Sequence, residues 1–170
     1  EGVNNEAQNL LGKILVTNQT SKDGKKVWQR DVLKDSEMSK PAAWGFAGSP
    51  LVSGDSIIVE AAHTISYSLK DGEILWKSDR YKPAYASPGA FKYNDKDWII
   101  TLKTEGLLVL DANTGKTVTL SEWKTRFSTN ATTPIVIGNE VFISTGYGRG
   151  CALYKFDGTS LNEVYTNKSI

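Results

Sequence analysis

The sequence predicts an all-β fold made of repeated four-stranded sheets, and three observations support this prediction. Apolar runs of strand length alternate with short turns such as Gly-Asp, Asp-Gly and Thr-Gly, and helical periodicity is nearly absent. The units start alike, because Ser-Pro or Thr-Pro opens the first strand of three of them. Four turn glycines recur 48, 43 and 43 residues apart: Gly24, Gly72, Gly115 and Gly158.

A period in the forties with four strands per unit is typical of propeller blades. A four-stranded sheet cannot bury both faces alone, so each blade needs neighbours, and Trp28 and Trp76 suit packing between blades. The sequence therefore predicts a β-propeller of about four antiparallel blades, part of a seven- or eight-bladed ring. The expected blade units are 1–32, 47–79, 85–121 and 130–167.

Composition excludes several classes of function. The 170-residue chain has a formal net charge of +1, which gives no field that would attract nucleic acid. No apolar run approaches the roughly 18 residues of a membrane span, so no transmembrane segment is expected. The single cysteine, Cys151, excludes an internal disulfide and a Cys-based zinc cluster, and it is expected to be a buried strand residue. A start at Glu1 without a signal-like segment fits a processed or truncated chain.

Several motifs resemble those of a known family. The docking motif Ala-x-Asp-x-x-x-Gly-x-x-x-Trp is matched in part by Ser66, Ser68, Gly72 and Trp76, and in the next unit by Asp111 and Gly115, with Thr119 in place of the Trp. The stretches 123–134 and 143–153 are similar to the same proteins. Over nearly its whole length the chain resembles the PQQ-like, quinoprotein-type β-propeller repeat family of bacteria.

The resemblance implies an exported, periplasmic or otherwise extracytoplasmic bacterial protein. The family includes PQQ-dependent alcohol dehydrogenases and the scaffold lipoprotein of the outer-membrane β-barrel assembly machinery. In the dehydrogenases a vicinal cysteine pair, a stacking Trp and Glu, Asn and Asp ligands to calcium hold PQQ. One Cys excludes that pair here, and no calcium set can be matched residue by residue. A repeat fold alone does not assign an activity.

Strand order predicts which loops share one end of the propeller. The loops between strands 2 and 3 of each blade, and the connections between blades, should emerge together. Channel mouths of this kind commonly bind ligands. The expected ligand-binding residues there are Trp44, His63, Arg126, Asn130, Tyr147 and Arg149. The same loops carry Tyr81, Lys103, Glu105, Trp123 and Lys124.

One interpretation is that these side chains would form a recess with an aromatic wall and a mild basic bias, which would suit a protein or a small anionic or planar ligand. The alternative interpretation is that the basic residues are solvated and the Trp side chains cap blade packing. The glycine-rich run 146–150 lacks the following helix of a dinucleotide site, so it indicates a β-bend. His63, the only histidine, is expected to be an ordinary polar loop residue.

Two functions remain open from the sequence. The first is a non-catalytic, extracytoplasmic binding or scaffold module. The alternative is a PQQ-dependent alcohol or sugar dehydrogenase whose catalytic parts lie partly outside this segment, and only this alternative would require PQQ with calcium. In either case, further blades or a second copy are needed to close the ring.

Overall fold

The computed structural model describes residues 13–17 and 26–168, and side chains from residue 27 onward. This part of the chain contains fourteen strands and one four-residue helix. The strands before the first complete sheet are β1 (Lys13–Thr17) and β2 (Lys26–Asp31), followed by helix α1 (Val32–Asp35). The others are β3 (Leu51–Ser53), β4 (Ser56–Glu60), β5 (Thr64–Ser68), β6 (Ile74–Lys77), β7 (Gly89–Tyr93), β8 (Lys96–Leu102), β9 (Gly106–Asp111), β10 (Thr117–Glu122), β11 (Ile135–Ile137), β12 (Glu140–Thr145), β13 (Gly150–Phe156) and β14 (Leu161–Asn167).

The strands form three four-stranded antiparallel sheets and one two-stranded sheet. The first blade is β3–β6, the second is β7–β10 and the third is β11–β14, each paired in sequence order, whereas β1 pairs only with β2. This architecture confirms the predicted all-β fold of propeller blades. The predicted first unit, 1–32, lies mostly outside the described residues, and the boundaries proposed for the units stay a prediction.

Neighbouring blades meet along their first strands. Strand β3 contacts β7, and β7 contacts β11; between the second and third blades the last strands, β10 and β14, are also in contact. The hairpin after each first strand is tight: Asn94 and Asp95 both have positive φ, of 51° and 57°. Asn and Asp tolerate this left-handed backbone better than other non-glycine residues, so the turn residues fix the register of β7 against β8.

Two tryptophans join successive sheets in the same way. The ring of Trp28 lies against Gly72 of the first blade, and its Nε1 donates to the Leu69 carbonyl at 3.0 Å. The ring of Trp76 lies against Gly115 of the second blade, and its Nε1 donates to the Ala112 carbonyl at 2.9 Å. Each indole thus buries apolar area across a junction and also satisfies its N–H.

The junction between the second and third blades is built differently. Phe156 of the third blade lies edge-to-face with three rings of the second, at centroid distances of 5.6 Å to Phe91, 5.9 Å to Tyr93 and 5.1 Å to Trp98. Gly158 has only Tyr93 and Asn94 near the space of a Cβ, both at 3.9 Å. An aromatic cluster therefore replaces the Trp-on-Gly contact where the sequence has Thr119.

Helix α1 covers the first blade on the side opposite the second blade. Its Asp35 accepts two hydrogen bonds from Arg30, both at 3.0 Å, and one from the Tyr67 hydroxyl at 3.0 Å. The hydrogen bond with Asp35 raises the pKa of Arg30, and burial together with the Asp35 carboxylate raises the pKa of Tyr67 far above its ordinary value. The network ties helix α1 to β2 through Arg30 and to β5 through Tyr67.

The topology separates the two ends of the blades. The β4–β5, β8–β9 and β12–β13 loops and the connections between blades lie at one end, called the loop face below. The hairpins that join strands 1 to 2 and 3 to 4 of each blade lie at the other end, called the hairpin face. Over the described residues, none of the helical structure has the length and apolar character required to span a bilayer.

Candidate binding site on the loop face

A cleft of about 350 Å³ opens on the loop face. Its lining residues come from the segment before the first blade, from two connections between blades and from the β12–β13 loop. They are Trp44, Ala47, Tyr85, Thr129, Ala131, Thr132, Thr145, Gly146 and Tyr147. None of these side chains carries a charge, and most of the exposed lining is apolar.

Trp44 and Tyr85 form one wall of the cleft. Their rings meet edge-to-face at a centroid distance of 5.3 Å, and Trp44 remains 67% exposed. Tyr85 is fixed through its backbone, because its N–H donates to the carbonyl of Asn130 at 2.8 Å. In this wall the backbone of Tyr85 is fixed by a hydrogen bond, whereas the ring of Trp44 is largely exposed to solvent.

Tyr147 forms the opposite wall at the tip of the β12–β13 loop. Its backbone has φ 58°, an unusual value for an aromatic residue, and Gly148 follows with φ 72°. The Tyr147 ring meets Phe127 edge-to-face at 5.0 Å and is 67% exposed. The bend thus presents an aromatic ring to solvent beside the cleft.

Trp123 lies beneath the β12–β13 loop. It is fully buried, and its Nε1 donates to the hydroxyl of Thr145 at 3.0 Å. The Arg149 guanidinium stacks on its ring at 3.5 Å from the centroid. A cation at this distance from an indole face is held by the ring quadrupole, so Arg149 supports the loop and does not line the cleft.

Asn130 and Lys103 tie blades together at this end. Both are fully buried. The Asn130 Nδ2 donates to the carbonyls of Lys103 at 2.7 Å and Trp123 at 2.9 Å. The Lys103 Nζ lies 2.5 Å from Glu60 Oε2 and donates to the Ala61 carbonyl at 3.0 Å. Asn130 thus acts from behind the cleft, and the charge of Lys103 is compensated inside the protein.

His63 and Arg126 lie outside the cleft lining. The Nδ1 of His63 is 2.7 Å from the Ser78 carbonyl, and its Nε2 is buried without a hydrogen-bond partner in the described part of the chain. Arg126 is exposed, with its guanidinium 5.4 Å from the Phe127 ring. The remaining loop residues, Tyr81, Glu105 and Lys124, bond to Thr117, Lys82 and Glu122 respectively.

The structure therefore brings together Trp44 and Tyr147 of the predicted site residues, and it adds Tyr85. Tyr85 lies in a connection between blades, two residues before the Ser-Pro strand opening. Strand order therefore predicts that Tyr85 lies at the same end of the blades as the predicted site residues. Its ring contact with Trp44 depends on how the segment before the first blade folds across the loop face, and strand spacing carries no information on that path.

Comparison with known proteins agrees with this architecture. The family model described as outer membrane protein assembly factor BamB matches residues 12–170. No curated protein matches the sequence. Among solved structures, BamB from Moraxella catarrhalis is similar with a TM-score of 0.62 at 17% identity, over 88% of this chain and 45% of that one.

Two dehydrogenases of known structure are also similar to this chain in fold. A europium-containing methanol dehydrogenase gives a TM-score of 0.54 at 24% identity, over 71% of this chain and 24% of that chain. A quinohemoprotein alcohol dehydrogenase from Pseudomonas putida HK5 gives 0.50 at 18% identity, over 69% and 20%. At these identities the likeness concerns the fold alone, and this chain spans less than half the length of each of the three proteins.

Proposed function

This chain belongs to the family of the outer membrane protein assembly factor BamB, and from this premise we propose that it is a non-catalytic binding module that acts in the bacterial periplasm in the assembly of outer membrane proteins. One observation carries the proposal: exposed aromatic rings converge on an uncharged cleft at the loop face. Trp44 and Tyr147, each 67% exposed, face the same opening. Exposed aromatic rings that converge in this way are typical of surfaces that bind other proteins.

The lining of the cleft favours an apolar or planar group of a partner protein. Apart from the Trp44 indole N–H, its polar side-chain groups are hydroxyls, and the Thr129 Oγ1 is buried without a hydrogen-bond partner in the described residues. Trp and Tyr rings bury a large apolar area at little cost in side-chain entropy, since they have only two side-chain torsions. A side chain that enters between Trp44 and Tyr147 would cover both rings and could offer Thr129 a partner.

Substitution of the two open rings tests the proposal. We expect the double variant Trp44→Ala/Tyr147→Ala to bind the immobilised, purified outer-membrane assembly complex at least about tenfold more weakly than the unmodified chain, since truncating a central aromatic commonly costs 2 kcal/mol or more. Surface plasmon resonance measures the change. Leu120→Ala, which truncates an exposed apolar side chain of β10 outside the cleft, is the control and should bind normally. Affinity of the double variant within twofold of the unmodified chain would contradict the proposal.

The dehydrogenase alternative needs residues that hold calcium and PQQ. Within residues 13–17 and 26–168, no three His, Cys, Asp or Glu side chains are placed to hold a metal ion, and the chain's single Cys is buried. The vicinal cysteine pair that the dehydrogenases place beneath PQQ is therefore missing from this chain. Saturable binding of PQQ with calcium, followed by absorbance titration, would contradict a non-catalytic role.

A further inference from the structure

A second and larger cleft lies on the hairpin face, between the first and second blades. Its volume is about 600 Å³. It is called the hairpin cleft below, and its lining residues are Ser53, Gly54, Asp55, Ser56, Ser66, Leu75, Trp76, Asp97, Ala112 and Asn113. It lies at the opposite end of the blades from the aromatic cleft, so a ligand here is independent of the proposed loop-face partner.

The charge of the hairpin cleft is entirely negative. Asp55 and Asp97 are both exposed, and among the described residues neither carboxylate has a hydrogen-bond or ion-pair partner. Both are fixed through their backbones, because the Asp55 carbonyl accepts from the Leu69 N–H at 2.8 Å and the Asp97 carbonyl from the Ala112 N–H at 3.2 Å. No Lys, Arg or His lines the cleft to balance them.

Ser66 supplies an independent sign of a ligand. Ser66 is 0% exposed and belongs to the lining of the cleft. Its Oγ has no hydrogen-bond partner in the described part of the protein. A buried hydroxyl without a partner destabilises the folded state, and native proteins seldom retain one. Ser66 occupies the Ala position of the docking motif, where a methyl group would pack without this cost. A ligand that donates a hydrogen bond would provide the missing partner.

Trp76 and Leu75 give the hairpin cleft an apolar part. The Trp76 N–H is already bonded to the Ala112 carbonyl at 2.9 Å, so the indole offers only apolar surface to a ligand. Leu75 is 56% exposed. The lining therefore combines two carboxylates, one hydroxyl without a hydrogen-bond partner, and an apolar surface beside them.

We propose that the hairpin cleft binds an organic cation: a primary ammonium or guanidinium group carried on an alkyl stem. The cationic group donates to Asp55, Asp97 and the Ser66 hydroxyl, and the stem lies along Leu75 and Trp76. Such a group occurs on a free polyamine and on a Lys or Arg side chain of a partner protein. Because the carboxylates are exposed, binding is weak and decreases with salt.

Titration followed by amide chemical shifts tests the site on the full chain. At low ionic strength, spermidine in one arm and a short acetylated Lys- and Arg-containing peptide in the other should shift the amides of Gly54, Ser56 and Ser66 in a saturable manner. The variant Asp55→Asn/Asp97→Asn should weaken this binding by about tenfold. Whichever compound saturates at the lower concentration identifies the source of the cation.

The control removes two carboxylates from elsewhere. Glu140→Gln/Glu163→Gln changes the net charge equally at exposed positions of the third blade and should leave the affinity within twofold. Shifts that spread over acidic residues of all three blades would overturn the proposal. So would equal losses in the two double variants, or the absence of saturable shifts at the hairpin cleft in both arms.

Ser66→Ala separates a ligand-binding role from a structural one. The substitution removes a hydroxyl without a partner, so the melting temperature of the free protein should rise, while affinity for the cation should fall about threefold or more. A purely structural serine would give no loss of affinity. An unchanged affinity, or a lower melting temperature of the free protein, would overturn the assigned role of Ser66.

Discussion

Gly115 lacks a side chain because the indole of Trp76 occupies the space beside its Cα. A Cβ there would lie 2.3 Å from Trp76 Cε3, far inside any normal contact, and the residue also has φ 70°. Gly72 meets Trp28 in the same way, with a Cβ distance of 2.6 Å. The two glycines thus meet two requirements at once, a left-handed turn and contact with the preceding blade's ring.

Gly115→Ala should therefore destabilise the protein more than the turn geometry alone explains. We expect a loss of about 2–4 kcal/mol in the free energy of unfolding, which combines left-handed strain with overpacking. Gly138→Ala is the matched control, since Gly138 has φ 61° but no atom within 4 Å of the Cβ position, and it should cost about 1 kcal/mol. Urea denaturation measures both, and equal losses would refute packing as the reason for the glycine.

The burial of Lys103 shows a limit of reading single residues from the sequence. Strand order predicts that Lys103 lies on the β8–β9 loop, and the structure places it there. Its side chain is nevertheless fully buried and paired with Glu60. Glu60 belongs to the first blade and Lys103 to the second, so the pair forms only when two blades dock. Strand spacing fixes the end of the blade at which a loop emerges, but it does not determine which side chains cross the junction.

At the scale of the strand and turn, an Asp recurs in the hairpin between strands 3 and 4 of each complete blade. The Asp71 carboxylate accepts from the Glu73 N–H at 3.2 Å, and that of Asp111 from the Thr114 N–H at 2.9 Å. Asp157 accepts from the N–H groups of Thr159 and Ser160, both at 2.8 Å. One acceptor thus satisfies turn donors in all three blades, which explains why Asp accompanies the turn glycines.

These hydrogen bonds, from the Thr159 N–H first and then the Asn162 amide, hold the pKa of Asp157 well below its usual range. Since the folded-state pKa is lower than that of the unfolded chain, the carboxylate stabilises the fold above about pH 4, and this contribution is lost as the pH falls. Asp157→Asn should lower the melting temperature at pH 7, with a difference from the unmodified chain that shrinks toward pH 2. A difference in melting temperature that stays the same at every pH would exclude this effect of the Asp157 charge.

The junctions between blades were predictable only where they follow the repeat. The sequence predicts that Trp28 and Trp76 pack between blades, and the structure places the Trp76 ring against Gly115 of the next blade. Thr119 stands where the motif has a Trp, and the motif carries no information on what replaces the Trp at the next junction. The cluster around Phe156 takes rings from Phe91, Tyr93 and Trp98, on the first two strands of the second blade, at positions that no motif connects.

At the scale of the whole molecule, the two outer sides of the three-blade array differ. The outer side of the first blade is covered by a cluster that includes Val32, Trp28 and Phe46. On the third blade, strand register aligns four apolar residues across one face, and two of them, Ile135 and Tyr165, are 57% and 44% exposed. A face of this kind suits a further blade or a second copy, as the sequence predicts, and that closure stays a prediction.

We propose that the loop-face cleft is the surface that meets a partner in outer membrane protein assembly. Placing the photo-reactive residue p-benzoylphenylalanine at position 147, and separately at the exposed Lys116 position of the hairpin face, tests this in bacterial cells. We predict that irradiation gives covalent adducts with outer-membrane assembly components from position 147 and none from position 116. No adduct from position 147, or equal adducts from both positions, would contradict the claim.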